Sequence, residues 1–265
     1  MILEYEFMQN ALMATIFAGV ISGVIGSLIV VKRLAFLSGG IAHASYGGIG
    51  LGLLLGLNPI YTALPFSILS AIMIGLVRKE TSDDTAIGVV WALGMALGIL
   101  FIGFAPGYVP DVSSYLFGNI LLIHRSEVCA TAILTLVVSV VVAIFYREFQ
   151  MLSLDEEFAE VVGVSQLFNY LLLSLAAVSI VAIVRVAGIV LAIAILTIPP
   201  AIVKAGSSSL KIMMIHSAVL SVFLSLVGLY LSYVLDQPSG AMIVVVMGSV
   251  FLILQTLKKI RKIWS

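Results

Sequence analysis

Long apolar segments alternate with short polar ones along the whole chain. A helix that crosses a membrane needs about 20 consecutive, mostly apolar residues. By this criterion the pattern predicts nine spans, over residues 11–31, 37–56, 60–77, 84–104, 126–146, 167–184, 187–203, 212–235 and 240–257. Arg185 divides two short spans, so eight spans with one re-entrant segment is the alternative. We therefore predict an all-α polytopic membrane protein, a bundle of eight to nine transmembrane helices in one domain over residues 1–265.

The composition supports this interpretation. The chain is 62% hydrophobic and 10% charged, whereas soluble domains are about 45–50% apolar and about 25% charged. Its 13 lysines and arginines balance 13 aspartates and glutamates, which leaves no basic surplus for a nucleic-acid partner. The single cysteine, Cys129, lies in an apolar run, so neither an internal disulfide nor a thiolate metal cluster is predicted.

The basic residues predict the orientation, because lysine and arginine concentrate in cytoplasmic loops. Placing the C-terminal KKIRK segment in the cytoplasm leaves only Arg125 and Arg185 outside. The N-terminus then lies outside with nine spans and inside with eight.

Residues 105–124, APGYVPDVSSYLFGNILLIH, are predicted to be external. They begin with polar residues and their apolar part is too short to span, which favours a re-entrant element or half-helix. Acidic and histidine side chains here and in the later LDQPSGA turn are interpreted either as a mouth that guides a cation or as solvated loop residues. They are Asp111, His124, Glu127 and Asp236.

The longest cytoplasmic loop, residues 147–165, carries acids that alternate with apolar residues at helical spacing: Asp155, Glu156, Glu157, Phe158, Glu160, Val161 and Val162. This pattern predicts a short amphipathic helix that ends at Gly163. Four acids would be repelled by anionic lipid, so docking onto a partner protein is favoured over lying on the membrane surface.

Pro199 and Pro200 follow in the span 187–203 and remove two backbone donors. We expect them to break the helix near its cytoplasmic end, as a hinge, a pathway wall or a simple kink.

The most informative polar residue is His43, within the apolar stretch FLSGGIAHASYGGIGLGLLLG. A polar side chain at bilayer depth is a hypothesis for a functional site. Helical spacing places Gly39, His43, Gly47 and Gly50 on one face, where small residues let helices approach closely. Imidazole is a common ligand for zinc and related metals. One histidine is a poor site, whereas two copies across a two-fold axis make a better one; a hydrogen bond to a neighbouring helix is the alternative.

Catalytic motifs are absent from the sequence. It contains no HExxH, GxSxG or GxGD pattern and no Walker A loop. We therefore expect a non-catalytic chain that does not itself bind ATP through a phosphate-binding loop.

Four regions together resemble a known family. They are VVKRLAFLSGGIAHASYGGIGLG; DDTAIGVVWALGMALGILFI with SYLFGNIL; DEEFAEVVGV; and VAGIVLAIAILTIPPAIVK followed by GLYLSYVLDQPSGAMIVV. The third region matches an E-x-A-x-x-x-G coupling segment at Glu157, Ala159 and Gly163. In these blocks and their spacing the chain resembles the transmembrane permease subunit of zinc/manganese-type ABC transporters.

The resemblance implies a homodimer in the lipid of a prokaryotic cytoplasmic membrane. Two cytoplasmic ATP-binding subunits would hydrolyse ATP, and an extracellular or periplasmic metal-binding protein would deliver a divalent metal ion. The segment around Asp155–Val164 would be the coupling helix: its acids would pair with basic groups on the ATPase, and Phe158 and Val161 would fill an apolar pocket. The rivals are an ABC permease for an iron species or metal chelate, and a secondary transporter or channel without an ATPase.

One departure from the family pattern concerns the metal. The family motif has aspartate four residues before the histidine, and this chain has Gly39 there. Loss of a carboxylate weakens binding of manganese more than of zinc, so we expect zinc to be favoured.

Overall fold

The structure, a computed structural model, describes residues 5–106, 118 and 120–264. In these ranges the chain is helical. The helices are α1 (Glu6–Val31), α2 (Ala35–Leu55), α3 (Pro59–Val77), α4 (Asp83–Phe104), α5 (Arg125–Ile144), α6 (Tyr146–Leu154), α7 (Glu156–Val161), α8 (Gln166–Lys204), α9 (Leu210–Leu235) and α10 (Ser239–Trp264).

Seven of the described helices are long and apolar enough to cross a membrane: α1, α3, α4, α5, α8, α9 and α10 over Ser239–Ile260. Helix α2, with 21 residues, has the length of a span, but glycines, serines and His43 dilute its apolar content. The chain is thus a multi-pass helical membrane protein, and the number of eight to nine spans stays a prediction. Most of the predicted re-entrant segment, including Asp111, lies outside the described residues.

Both ends of α8 lie at the same end of the bundle. Gln166 accepts a hydrogen bond from Lys79, which follows α3. At the other end of α8, the Nζ of Lys204 donates to the carbonyl oxygen of Val30 at 3.0 Å, near the end of α1. We call this end of the bundle, which also holds Lys32 and Arg78, the basic end.

The middle of α8 reaches the opposite end. Arg185 forms an ion pair with Glu127, in the first turn of α5, with 3.3 Å between Nε and Oε1. Gly188 lies three residues later and has φ 79° and ψ 169°, a backbone conformation that glycine adopts far more readily than other residues. The chain therefore reverses at Gly188, and α8 consists of two antiparallel arms, residues 166–187 and 189–204.

The expected helix break at Pro199 and Pro200 is wrong. The second arm stays helical through both prolines to Lys204. Pro199 has no backbone N–H to donate to the carbonyl oxygen of Ile195, four residues earlier. The hydroxyl of Ser22 donates to that oxygen instead. Gly26 leaves space for the ring of Pro200, because a Cβ there would lie 3.0 Å from the proline Cγ. Helix α1 thus replaces a missing bond and accommodates the second ring.

Helices α2 and α4 pack closely through glycines. A Cβ on Gly47 would lie 2.8 Å from the carbonyl oxygen of Gly94 and 2.5 Å from the ring of Phe66, and a Cβ on Gly50 would overlap Gly98. In a membrane, an apolar side chain gains little free energy by moving from lipid to protein. Close contact between small residues is therefore a main source of helix association. Gly47 and Gly50 thus let α2 and α4 approach each other without a side chain between them.

Two local features were not predicted from the apolar pattern. Helix α1 contains a π-helical segment, Ser22–Gly26, in its second half. The loop 147–165 contains α6, whose Phe149 and Leu152 are buried. Helix α6 therefore anchors the following polar segment to the membrane bundle.

Candidate functional site

His43 lies near the middle of α2 and stacks on an aromatic residue of α4. Its ring centroid is 4.6 Å from that of Trp91, with an angle of 11° between the planes. The indole is fixed in turn, because its Nε1 donates to the sulfur of Met95 at 3.2 Å and Phe36 packs against it at 5.5 Å. The orientation of the imidazole is thus set by two helices that the glycines hold together.

The Nδ1 of His43 is buried and has no hydrogen-bond partner among the described residues. Leaving a buried polar atom unpaired costs about 1–3 kcal/mol, so such an atom calls for an explanation. The predicted alternative, a hydrogen bond from the histidine to a neighbouring helix, is not made at Nδ1. That nitrogen has no partner among the described residues.

The other three residues predicted to share the His43 face contact different neighbours. Gly47 and Gly50 face α4, as described above, whereas Gly39 faces the second arm of α8. A Cβ on Gly39 would lie 3.6 Å from the Cδ1 of Ile193, an ordinary contact distance. Gly39 is therefore the position on this helix where a side chain could be added without displacing backbone.

Within the part of the chain that the structure describes, no three His, Cys, Asp or Glu residues come together as a metal site. A single His43 supplies one ligand, so a complete site needs donors from elsewhere.

A second set of polar residues lies at the basic end, around Glu156 of α7. Its Oε2 is 2.8 Å from the Nζ of Lys32 and 2.6 Å from the Nη2 of Arg78. Its Oε1 accepts from the Nδ2 of Asn169 at 2.7 Å. We call Lys32, Arg78, Glu156 and Asn169 the Glu156 cluster. One carboxylate thus joins α7 to the ends of α1 and α3 and to the start of α8.

The environment of the Glu156 cluster favours the charged carboxylate. Burial of Glu156 by itself raises its pKa, but hydrogen bonds and charge from Lys32 and Arg78 outweigh this and lower the pKa from its usual 4.5. Burial also lowers the pKa of Lys32, whose side chain is only 6% exposed, while Glu156 opposes that shift. Each group therefore favours the charged form of the other.

Helix α7 is short and capped at both ends. The Oδ1 of Asp155 accepts from the amide of Phe158 at 3.0 Å. At the other end, Gly163 has φ 94°, its amide donates to Glu160, and Val164 donates to Ala159 at 2.9 Å. These two bonds form a Schellman motif, which glycine completes without strain. The helix therefore ends where the sequence predicts.

The acids of α7 are not equivalent. Asp155 caps the helix, Glu156 is held in its cluster, and Glu160 accepts from Gln166. Glu157 is exposed and has no partner among the described residues. The apolar side chains beside it face outward: Phe158 is 56% exposed and Val161 85%, whereas Ala159 is buried against the bundle.

The predicted outer residues separate in the structure. Glu127 pairs with Arg185, its Oε2 accepts from the amide of His124 at 3.1 Å, and the pair borders a cavity of about 310 Å³ next to Ser45. His124 is exposed, and Asp236 ends α9 with φ 53°. The carboxylate of Glu127 is thus paired with Arg185 in this structure.

Sequence reasoning did not identify Trp91, Lys32, Arg78 or Asn169 as parts of a site. In the sequence, Lys32 and Arg78 count only among the basic residues that predict the orientation, and the signal that they have a further role is weak. Each directly follows an apolar span, where a basic side chain can be held against the bundle.

The model of the ABC 3 transport family matches residues 4–258. The chain is 41% identical over 254 residues to an uncharacterised membrane protein of Synechocystis, covering 95% of this chain and 90% of that one. It is 34% identical to the manganese transport system membrane protein MntC of Listeria monocytogenes, covering 95% and 91%. Among solved structures, a chain of PsaBC from Streptococcus pneumoniae in complex with a Fab matches with a TM-score of 0.84 and 31% identity, covering 95% and 92%.

Proposed function

Because the chain belongs to the ABC 3 transport family and is a metal-type ABC transporter permease of a bacterial inner membrane, we propose that it imports a divalent transition-metal ion with energy from ATP. A separate cytoplasmic subunit hydrolyses the ATP, and this chain forms the path through the membrane. A metal-binding protein outside the membrane delivers the ion.

The observation that carries this proposal is α7. It presents exposed Phe158, Val161 and Glu157 on a helix capped at both ends, and its opposite side is tied by Glu156 to three membrane helices. When a docked ATPase moves such a helix, the attached ends of α1, α3 and α8 would move with it as one rigid body. A secondary transporter or channel has no need of this surface.

We propose that the functional unit is a homodimer around His43. One chain supplies one free imidazole and no cluster of three ligands within the described residues. A two-fold copy would bring a second His43, and water could complete the coordination shell.

The relatives and the residues near His43 favour different ions as the cargo. Relatives are named for manganese transport. In this chain, however, Gly39 leaves His43 without a carboxylate, and imidazole donors without carboxylate suit zinc better than manganese. We place zinc first on the donor set, with manganese and iron as the other cargoes to be measured.

The helices of the structure also support nine crossings of the membrane. Adding α2 and counting the two arms of α8 separately raises the seven apolar helices to nine. The basic end is then cytoplasmic by the positive-inside rule, and the Glu127–Arg185 pair is external.

The test is uptake by proteoliposomes that contain the permease, its ATPase and its binding protein, with zinc, manganese and iron measured separately. We expect ATP-dependent uptake that is lost in Glu157→Lys or Gly163→Pro, together with loss of ATPase co-purification. Asp236→Lys reverses a charge outside α7 and serves as the control that keeps the ATPase bound. Uptake by the permease without any ATPase would contradict the proposal. Uptake of a metal chelate, with no uptake of the free ion, would contradict the proposed cargo.

A further inference from the structure

A crevice of about 490 Å³ lies near the basic end, away from His43 and α7. It is bordered by α1, α5, the start of α6 and α9. The lining residues are Val24, Ser139, Val142, Ala143, Tyr146, Lys211, Met214 and Ile215.

The crevice changes from apolar to polar along its length. Val24 lies in the π segment of α1. At 1.5 Å per residue it is about 10 Å along the helix from the end at Val31. Tyr146 and Lys211, in contrast, are at the first turns of α6 and α9, next to the ends of the spans. Tyrosine and lysine are the side chains that favour the boundary between hydrocarbon and water.

The polar groups of the crevice lack partners within the chain. Lys211 is exposed and makes no hydrogen bond or ion pair with any described residue, and the same holds for the Tyr146 hydroxyl. The Oγ of Ser139 is buried and also has no partner among the described residues. A cation and a phenol without partners in the described chain therefore lie at one apolar cleft, and the buried hydroxyl of Ser139 lies in its wall.

We propose that this crevice binds one anionic phospholipid of the cytoplasmic leaflet. The phosphate lies against Lys211 and Tyr146, and an acyl chain lies along Val24, Val142 and Ile215. Charge complementarity selects the occupant, because one lysine gains about 1 kcal/mol from an anionic headgroup and nothing comparable from a zwitterionic one. The apolar length of the cleft distinguishes a lipid from a free phosphate.

The lipid would bridge two helices that already meet closely. Gly23, beside Val24, packs against α9, where a Cβ would lie 2.5 Å from that of Ala218. This inference requires only the membrane location, so it can fail or succeed independently of the metal cargo and of ATP.

The test is native mass spectrometry of the detergent-purified complex with phosphatidylglycerol or phosphatidylcholine of the same acyl composition. We expect one retained phosphatidylglycerol per permease chain, a loss of affinity of about fivefold in Lys211→Gln, and recovery in Lys211→Arg. Lys258→Gln, on α10, is the matched control and should bind as the unchanged protein does.

A second variant acts through the crevice volume. Ser139→Leu fills the cleft without changing charge and should also reduce lipid retention. Equal retention of the two lipids, or equal behaviour of Lys211→Gln and Lys258→Gln, would overturn the proposal. Retention of inorganic phosphate with the same lysine dependence, but of no lipid, would do so as well.

Discussion

The ammonium of Lys32 and the carboxylate of Glu156 lie 2.8 Å apart although 124 positions separate them in the sequence. Lys32 follows the first membrane helix directly, and Glu156 begins α7. Arg78 and Asn169 bind the same carboxylate, so this one side chain determines how α7 sits on the bundle.

Glu156→Gln should loosen α7 from the bundle. The amide cannot hold both cations, and a buried lysine left without its partner destabilises the fold by about 1–3 kcal/mol, less where water reaches the site. We expect reduced thermal stability and ATP hydrolysis that is no longer matched by uptake. Glu157→Gln, one position along and exposed, is the control for stability; an equal loss of stability in both variants would show that the cluster has no special role.

The same carboxylate predicts a dependence on pH. Its pKa is lowered in the folded chain from 4.5, so its contribution to stability is present above the unfolded value. That contribution is lost as the pH falls through the lower, folded value. Thermal unfolding in detergent between about pH 7 and about pH 3 should show this loss, and the difference between the unchanged chain and Glu156→Gln should shrink at the acid end. A constant difference would contradict the assignment.

His43→Ala should abolish or strongly reduce metal uptake and leave assembly intact. The variant removes the imidazole nitrogen that we propose as a metal ligand, and Trp91 keeps its bond to Met95. The measurement is uptake of each metal together with the elution volume of the complex. His216→Ala, at an exposed position of α9, is the matched control, and unchanged uptake in His43→Ala would make His43 a structural residue.

Gly39→Asp should shift selectivity toward manganese. A Cβ at position 39 has room against Ile193, and a carboxylate one turn before His43 adds a hard oxygen donor. We expect the ratio of manganese to zinc uptake to rise. Gly39→Asn has nearly the same volume without the charge; if it gives the same ratio, the change is one of packing and not of coordination.

Gly50→Ala should weaken the contact between α2 and α4. The added methyl would meet the backbone of Gly98, which cannot rotate away, so a cost of about 1–3 kcal/mol is expected. Gly88→Ala on α4 meets no atom within 4 Å and should be neutral or slightly stabilising. Thermal unfolding of the two variants in the same detergent makes the comparison.

Span positions could be predicted because apolar length is a local property. The division at Arg185 came within three residues of the reversal at Gly188. The effect of Pro199 could not be predicted, because the replacement donor, Ser22, is 173 positions from the carbonyl it binds. Local rules describe the missing bond but not the neighbour that restores it.

The candidate site likewise has features that the sequence predicts and features that it does not. The sequence identifies His43 and the ends of α7, since an isolated polar residue and a terminal glycine are visible without any partner. The stacking of His43 on Trp91 and the pairing of Glu156 with Lys32 depend on which helices become neighbours. A single sequence gives each of these residues but not the contact between them.

The outward face of α7 has a consequence for the stability of the unassembled protein in the cell. If an ATPase subunit covers this face, as proposed, a chain made without that subunit would expose Val161 and Phe158, 85% and 56% exposed, as bare apolar surface to water. Such patches promote aggregation and recognition by quality-control proteases. On that proposal, the amount of permease in the membrane should follow the supply of the ATPase, because the unpaired permease would be degraded.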